Sequence, residues 1–137
     1  MDLMSQDDDA QEITARYRAY CDACQSAQLD KVPSFWGLPA LFVVDTGASE
    51  IINTVLNTPD ELIALYSKEF GASTGVDRTV IDSSEVVFYG ERLATIKTSL
   101  RHLAGNTLHD TQDAIYGCRK FDGEWRFVSH LSVEVTQ

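Results

Sequence analysis

The sequence predicts an α+β domain in which helices come first and a run of antiparallel strands follows. An amphipathic pattern, with apolar residues three and four positions apart, extends from about residue 8 to residue 27. A capping box at residues 58–61 marks the start of another helix. From residue 78 onward, apolar and polar residues alternate without a helical interruption, as in consecutive antiparallel strands. We therefore expect helices packed on one face of a single curved sheet.

Length and charge limit the class of protein. The 137 residues, 44% of them hydrophobic, suffice for one domain with its own core. We expect a disordered acidic tail over residues 1–7 and a single domain over residues 8–137. The formal charge of −10 argues against nucleic acid and against an anionic membrane as partners. The acidic N-terminus lacks the features of a secretory signal, and three cysteines do not form an even disulfide framework. We therefore expect a cytoplasmic protein.

The helices are predicted from apolar stripes and from capping residues. Residues 7–9 are carboxylates that can cap the first helix, whose apolar stripe consists of Ile13, Tyr17, Tyr20, Cys21 and Cys24. A short helical segment is predicted to begin at Asp30, with Gly37 and Pro39 ending it. The next helix begins with Thr58-Pro59-Asp60-Glu61, in which Thr and Glu can satisfy free amides reciprocally.

The strands are predicted from alternation and from turn residues. Residues 40–44 form a compact apolar strand that runs into Asp45, and residues 50–56 form a short strand or an irregular return. Strands over residues 78–88 and 93–103 follow, and a hairpin over residues 109–132 ends the domain. Asp122-Gly123 is the predicted turn of this hairpin, because Gly tolerates the positive φ of a tight turn.

The strand over residues 93–103 has two different faces. The largely apolar row consists of Ala94, Ile96, Thr98, Leu100 and His102. The other row, which includes Lys97, Ser99 and Arg101, is polar enough to face solvent or a partner.

Four stretches of the chain carry a family resemblance. They are Ala15-Arg16-Tyr17, residues 40–45, residues 58–62 and residues 121–127, and together they resemble the nuclear transport factor 2-like superfamily over about residues 10–133. That superfamily includes ketosteroid isomerases, SnoaL-type cyclases, dehydratases and non-catalytic modules. The resemblance implies a cystatin-like cone, a curved antiparallel sheet wrapped around about three N-terminal helices, with a pocket at its wide end. It also implies a homodimer through the outer sheet face, although a solvated face explains the Lys97 row equally well.

The resemblance to ketosteroid isomerases implies roles for three residues. Such a site combines a Tyr that donates to the substrate oxygen, an Asp base and a protonated Asp. Tyr17 matches the Tyr, Asp45 matches the base, and Asp113 lies one residue away from the third position. An offset of one moves a side chain to the opposite sheet face. Each residue also has a structural interpretation, namely a core Tyr, an Asp that caps a turn and an exposed strand Asp.

Histidines are the other candidates for acid–base chemistry, because a cyclase-like site uses an Asp–His pair. His130 is the best placed, near the end of the last strand. The more apolar row of that strand is predicted to face inward, so His130 faces the pocket only if a bulge reverses the parity. That apolar row consists of Trp125, Phe127, Ser129 and Leu131. The histidine spacing matches no metal motif, and we predict neither a metal nor another cofactor.

Several other residues are candidates for the pocket wall, although plain core positions explain them equally well. They are Tyr20, Phe35, Trp36, Tyr66, Phe70 and His102. Cys21 and Cys24 form a CxxC motif in the middle of a helix, away from the helix N-terminus that redox motifs typically occupy. We interpret them as two small buried residues.

Two functions remain open at this stage. The chain is either an isomerase, cyclase or dehydratase for a small hydrophobic molecule, or a non-catalytic ligand-binding or dimerisation module. Asp45 and Tyr17 would be the central groups of the enzyme, with Asp113 or His130 in support. The sequence contains no phosphate-binding loop and no Ser nucleophile elbow.

Overall fold

The computed structural model of the protein describes residues 3–26, 28–47, 51–69 and 75–136. Two α-helices, α1 (Leu3–Gln25) and α2 (Pro59–Glu69), and one 3₁₀ helix (Leu29–Phe35) are present in this part of the chain. The strands are β1 (Trp36–Asp45), β2 (Ile52–Leu56), β3 (Arg78–Phe88), β4 (Leu93–Ala104), β5 (Thr107–Phe121) and β6 (Glu124–Thr136). The predicted order of elements is confirmed.

The described strands form one curled sheet in the order β2-β1-β6-β5-β4-β3. Neighbours pair antiparallel except β1 and β6, which run parallel, so the sheet is mixed rather than wholly antiparallel. The parallel pair arises because the 3₁₀ helix, β1, β2 and α2 precede the long meander, whose last strand returns beside β1. The α+β class with helices on the concave face is confirmed.

Helix α1 begins at Leu3, so residues 3–7 are helical where the sequence suggested a tail. Asp9 in this helix is buried and accepts hydrogen bonds from Trp125 Nε1 and Lys120 Nζ, both at 3.0 Å. Glu12 accepts the main-chain amide of Trp125 at 2.9 Å. These contacts attach the first turns of the helix to the β5–β6 hairpin. Because the residues involved are far apart in the chain, local sequence patterns do not predict this attachment.

The prediction that Gly37 and Pro39 end a helix is wrong, because β1 begins at Trp36 and contains both residues. Gly37 is needed for close packing instead. A Cβ atom at this position would lie 2.6 Å from the ring of Phe121. By contrast, the predicted cap of α2 is confirmed, since Thr58 Oγ1 accepts the amide of Glu61 at 3.2 Å.

The predicted turn of the last hairpin is also confirmed. Asp122 has φ of 48° and Gly123 has φ of 85°, as a tight hairpin turn requires. The predicted inner row of β4, from Ala94 to His102, is buried at every second position.

Three β-bulges lie in the antiparallel pairs of the described strands, and each adds one residue to a single strand. The extra residues are Asp82 in β3, His109 in β5 and Val128 in β6. A bulge increases the local twist and reverses which face the following side chains occupy. Two of these bulges decide which polar groups face the helices.

The core is an aromatic cluster between α1 and the concave face of the sheet. Tyr17, Trp36 and Trp125 are each about 1% exposed. Tyr20 meets Trp36, Tyr66, Tyr116 and Phe127 in edge-to-face contacts. Burying each such side chain contributes roughly 1.5–3 kcal/mol relative to leaving it in water. This cluster fills the narrow part of the curled sheet.

Candidate functional site

A cavity of about 40 Å³ remains between α1, α2 and the concave face of the sheet. This figure is the space open to the centres of water molecules, so the void between the atoms is larger than 40 Å³ and exceeds the minimum that one water needs. It is lined by both apolar and polar side chains: Tyr20, Cys21, Cys24, Phe42, Val44, Ile52, Leu65, Tyr66, Thr79, Leu100, His102, Gln112, Tyr116, His130 and Glu134.

The bulge at Val128 turns His130 into this cavity. Before the bulge, Trp125 and Phe127 are buried, and after it His130 and Ser132 are buried while Leu131 is exposed. The predicted inner row of the last strand is therefore correct only as far as Phe127. The condition that we set for an inward His130, a bulge that reverses parity, is met.

His130 lies in an apolar part of the cavity wall and is 5% exposed. Its ring stacks on Phe42, with centroids 5.3 Å apart, and meets the edge of Tyr116 at 4.7 Å. Nε2 lies 2.8 Å from Ser132 Oγ, while Nδ1 has no hydrogen-bond partner among the described residues. Burial lowers the pKa of His130 to about 4, so the ring is neutral at neutral pH.

A second imidazole in the cavity wall is held by a carboxylate. His102 Nδ1 lies 2.5 Å from Asp110 Oδ1, and the other oxygen, Oδ2, lies 2.9 Å from His109 Nδ1. Burial on its own would raise the pKa of Asp110, but hydrogen bonds and charge from His102 and His109 outweigh it and hold the pKa below its usual range.

An ionised carboxylate can only accept hydrogen bonds, so Asp110 fixes the proton of His102 on Nδ1. Nε2 is then the basic atom of the ring, an arrangement that suits a general base.

Asp110 was not among the residues predicted from the sequence, and the bulge at His109 explains why. A hairpin with Ala104 opposite Thr107 and no bulge would place His102 opposite His109. The extra residue places Asp110 there instead. The sequence does show that His102 and Asp110 lie on either side of the same short turn, which suggests that they are close. It does not show the bulge that decides which residue pairs with His102.

Three phenol groups meet at the cavity. The Tyr20 hydroxyl lies 2.5 Å from that of Tyr66 and 3.4 Å from that of Tyr116. Burial raises the pKa of Tyr20 and of Tyr116 well above the usual range, so both stay protonated. Protonated hydroxyls in a mostly apolar cavity can donate hydrogen bonds to a ligand oxygen.

The three residues of the ketosteroid-isomerase-like set are not brought together. Tyr17 is buried outside the cavity wall, with its hydroxyl donating to Thr98 Oγ1 at 3.0 Å. Asp45 lies at the end of β1 and accepts the amide of Gly47 at 2.9 Å, as a turn-capping Asp does. Asp113 lies on the convex face and accepts the Ser99 hydroxyl at 2.6 Å. Each residue takes up its structural role.

Among the proposed wall residues, Tyr20, Tyr66, His102 and His130 line the cavity. Trp36 and Phe35 pack around Tyr20 in the core instead, and Phe70 lies outside the described residues.

Cys21 and Cys24 also line the cavity. Burial raises the pKa of Cys21 to about 12, and raises that of Cys24 further. Both are thus neutral thiols at neutral pH, which does not favour redox chemistry.

The described ranges contain neither a metal-binding cluster nor a membrane-spanning helix. No group of three or more His, Cys, Asp or Glu residues within them is arranged to hold a metal ion. Within the same ranges, no helix is both long enough and apolar enough to cross a membrane.

Several solved structures share this fold. A domain of unknown function with a cystatin-like fold from Nostoc punctiforme matches with a TM-score of 0.71 and 19% identity, covering 94% of this chain and 77% of that one. Aln2 from a Streptomyces species has a TM-score of 0.71 and 15% identity, covering 90% and 89%. A protein provisionally named scytalone dehydratase, from Novosphingobium aromaticivorans, has a TM-score of 0.68 and 13% identity, covering 99% and 89%. At these identities the likeness shows the fold alone.

No curated protein matches the chain. A family model described as NTF2-like protein (DUF6841) matches residues 8–135, nearly the whole sequence. The predicted membership of the nuclear transport factor 2-like superfamily is thereby confirmed, and the chain belongs to the NTF2-like family DUF6841.

Proposed function

We propose that this protein binds a small, mostly apolar molecule in its cavity and moves a proton on it. The observation that carries the proposal is the pairing of His102 with Asp110 in the wall of an otherwise largely apolar cavity. A neutral His130 and the hydroxyls of Tyr20 and Tyr66 lie in the same wall. The reaction class that fits these groups is isomerisation, cyclisation or dehydration.

Each group has a defined task in such a reaction. His102 Nε2 takes a proton from carbon, and Asp110 stabilises the imidazolium that forms. A hydroxyl of the tyrosine cluster, or His130, donates to the oxygen on which negative charge develops. Positioned proton transfer of this kind contributes about 10²- to 10⁴-fold to a rate.

The names of similar structures support the reaction class. Dehydration removes a proton and a hydroxyl group, so it needs one base and one acid within reach of the same molecule. In the cavity, His102 can do both in turn: it takes the proton from carbon and then, as the imidazolium, gives it to the leaving hydroxyl, while the neutral His130 only donates a hydrogen bond. The protein provisionally named scytalone dehydratase shares the fold, although this fold also hosts non-catalytic functions.

A non-catalytic ligand-binding module is the second candidate function. The observation that favours it is the small size of the cavity, about 40 Å³, beside the aromatic cluster of the core. In this alternative, His102 and His130 would recognise polar atoms of the ligand without transferring protons.

The binding half of the proposal can be tested with a small cyclic ketone such as cyclopentanone. In an NMR titration of the isotope-labelled protein, we expect the side-chain signals of His102, His130 and Tyr66 to shift together. Signals of Leu131 and Asp113, on the convex face, are the internal control and should not move. Shifts confined to the convex face, or none at all, would overturn binding in the cavity.

We also propose a homodimer that forms through the convex face of the sheet. Apolar side chains are exposed there on four strands, where they form an apolar strip: Leu41, Val55, Ile115, Leu131, Val133 and Val135. Leu41 is paired with Val55, and Leu131 with Ile115, so the strip is continuous across neighbouring strands. A continuous exposed apolar surface favours association. The polar row of β4 lies beside the strip, where Arg101 pairs with Asp82 at 2.9 Å.

The cysteines are the basis for proposing a cytoplasmic location. Cys21, Cys24 and Cys118 are all buried and unpaired, as is common in a reducing compartment. Fractionation of cells that produce the protein would test this directly.

A further inference from the structure

We propose that the molecule bound in this cavity is electrically neutral and that Glu134 makes the site reject small anions. This inference rests on the proposed binding function, because it names the chemical class of that ligand. It concerns the charge of the cavity wall rather than the proton-transfer step.

In the part of the chain that the structure describes, the cavity wall contains one carboxylate and no Lys or Arg side chain. Among the described residues, the lining set includes Glu134 but neither Lys nor Arg. A ligand carboxylate or phosphate would therefore enter without a cation to pair with. Burying an unpaired charge is costly, and here a carboxylate of the same sign faces the same space.

The two histidines that line the cavity do not supply a compensating positive charge. His130 is neutral at neutral pH because burial lowers its pKa to about 4. The His102 ring is bonded to Asp110, so the pair adds no net positive charge in either protonation state of the ring. The remaining polar wall groups face the cavity from α1, α2, β3 and β5, and they are phenols, thiols, a hydroxyl and an amide.

Glu134 is held in position on the inner face. It follows Ser132 and His130 on β6, so the bulge at Val128 directs it inward as well. Gln112 Nε2 donates to Glu134 Oε1 at 2.8 Å. A fixed negative charge a few ångströms from a bound anion, in a medium less polar than water, is enough for at least about a tenfold loss in affinity.

The wall favours a neutral molecule with polar atoms, such as a carbonyl or amide compound. Tyr20 and Tyr66 present hydroxyl groups, and Gln112 presents an amide. These groups recognise uncharged oxygen and nitrogen atoms. A cation would not be repelled by Glu134, but it would lose its hydration in an apolar space, which also costs affinity.

Three planar probes of nearly identical shape separate charge from size. Benzamide is neutral, benzoate is an anion and benzamidine is a cation at neutral pH. NMR titration of the wild-type protein gives a dissociation constant for each probe. We expect benzamide to bind most tightly and benzoate to bind at least about tenfold more weakly.

Two variants assign the effect to Glu134. Glu134→Gln removes the charge with little change in shape, and we expect it to recover most of the lost benzoate affinity while benzamide binding stays unchanged. Glu91→Gln makes the same change in net charge at an exposed turn, and it should leave the ratio of the two affinities as in the wild type.

The possible outcomes are distinct. Benzoate binding as tightly as benzamide to the wild-type protein would overturn the inference and leave the proposed function intact, and this comparison needs no variant. Equal gains for benzoate in Glu134→Gln and Glu91→Gln would also overturn it, since overall charge would then be the cause. If none of the three probes binds, the proposed binding function fails and this inference fails with it.

Discussion

The main-chain amide of Gly117 donates a hydrogen bond to Ser129 Oγ at 3.1 Å, at the point where β6 carries its extra residue. The approach is so close that a Cβ atom on residue 117 would lie 2.4 Å from this oxygen. Beyond the bulge, His130 and Glu134 face the cavity instead of the convex surface. This one contact therefore connects the shape of the sheet to the composition of the candidate site.

Substitution of Gly117 by Ala should weaken the bulge. The added methyl group overlaps Ser129 Oγ, and we expect a loss of about 1–3 kcal/mol in the free energy of unfolding, measured with urea. In a Ser129→Ala background the oxygen is absent, so the same Gly117→Ala change should cost less. Equal costs in both backgrounds would show that Ser129 does not determine the need for Gly at this position.

The stability of the protein should depend on the protonation of His130. Its folded-state pKa of about 4 lies below the ordinary value of 6.5, so the unfolded chain binds the proton more readily. Stability therefore falls as the pH drops from about 6.5 to about 4, by at most about 1.4 kcal/mol per pH unit. The pKa of Asp110 is lowered from 3.8, so the stability that this carboxylate contributes is lost mainly at pH values below this window.

His130→Gln is the variant that tests this dependence. We expect its free energy of unfolding to be nearly level between pH 6.5 and pH 4.5, where the wild type declines. Parallel curves for both proteins would assign the decline to other groups.

Loss of the Asp9 carboxylate should destabilise the fold. Asp9→Ala leaves the buried Trp125 Nε1 without its acceptor and Lys120 without its partner, and we expect a cost of about 1–3 kcal/mol. Asp8→Ala changes an exposed neighbour in the same helix and should cost less than about 0.5 kcal/mol. Similar values for the two variants in urea unfolding would contradict the role given to Asp9.

A charge in the apolar strip should prevent dimerisation. We expect the wild-type protein to have the mass of a dimer in light scattering and Val133→Lys to have the mass of a monomer, because the change buries an unpaired charge. Leu93→Lys alters a similarly exposed apolar residue at the start of β4, outside the strip, and should remain a dimer. A monomeric wild type, or a dimeric Val133→Lys, would rule out this interface.

Features set by neighbouring residues could be predicted from the sequence. The turn at Asp122-Gly123, the cap at Thr58 and the buried row of β4 each depend on a few consecutive side chains, and all three are present. Family membership also followed from such local stretches.

The composition of the site could not be predicted in the same way. The extra residue in β5 decides whether Asp110 or His109 lies opposite His102. The extra residue in β6, Val128, decides whether the side chain of His130 lies on the concave or the convex face. These bulges are stabilised by contacts between neighbouring strands, such as the hydrogen bond from Gly117 to Ser129. The alternation of apolar and polar residues along one strand therefore does not show where a bulge lies. The carboxylate of Asp45 accepts a hydrogen bond from the main-chain amide of Gly47 at the end of β1, so it caps a turn and does not face the cavity.

The central claim, that His102, held in place by Asp110, transfers protons in the cavity, is tested most directly by the rate at which cyclopentanone takes up deuterium next to its carbonyl in D₂O. We predict that the wild-type protein accelerates this exchange and that His102→Gln and Asp110→Asn each reduce the acceleration by about 10²-fold or more. Asp45→Asn and Asp113→Asn, which change carboxylates outside the cavity wall, should leave it unchanged. Full activity in His102→Gln together with loss in Asp45→Asn would contradict the account.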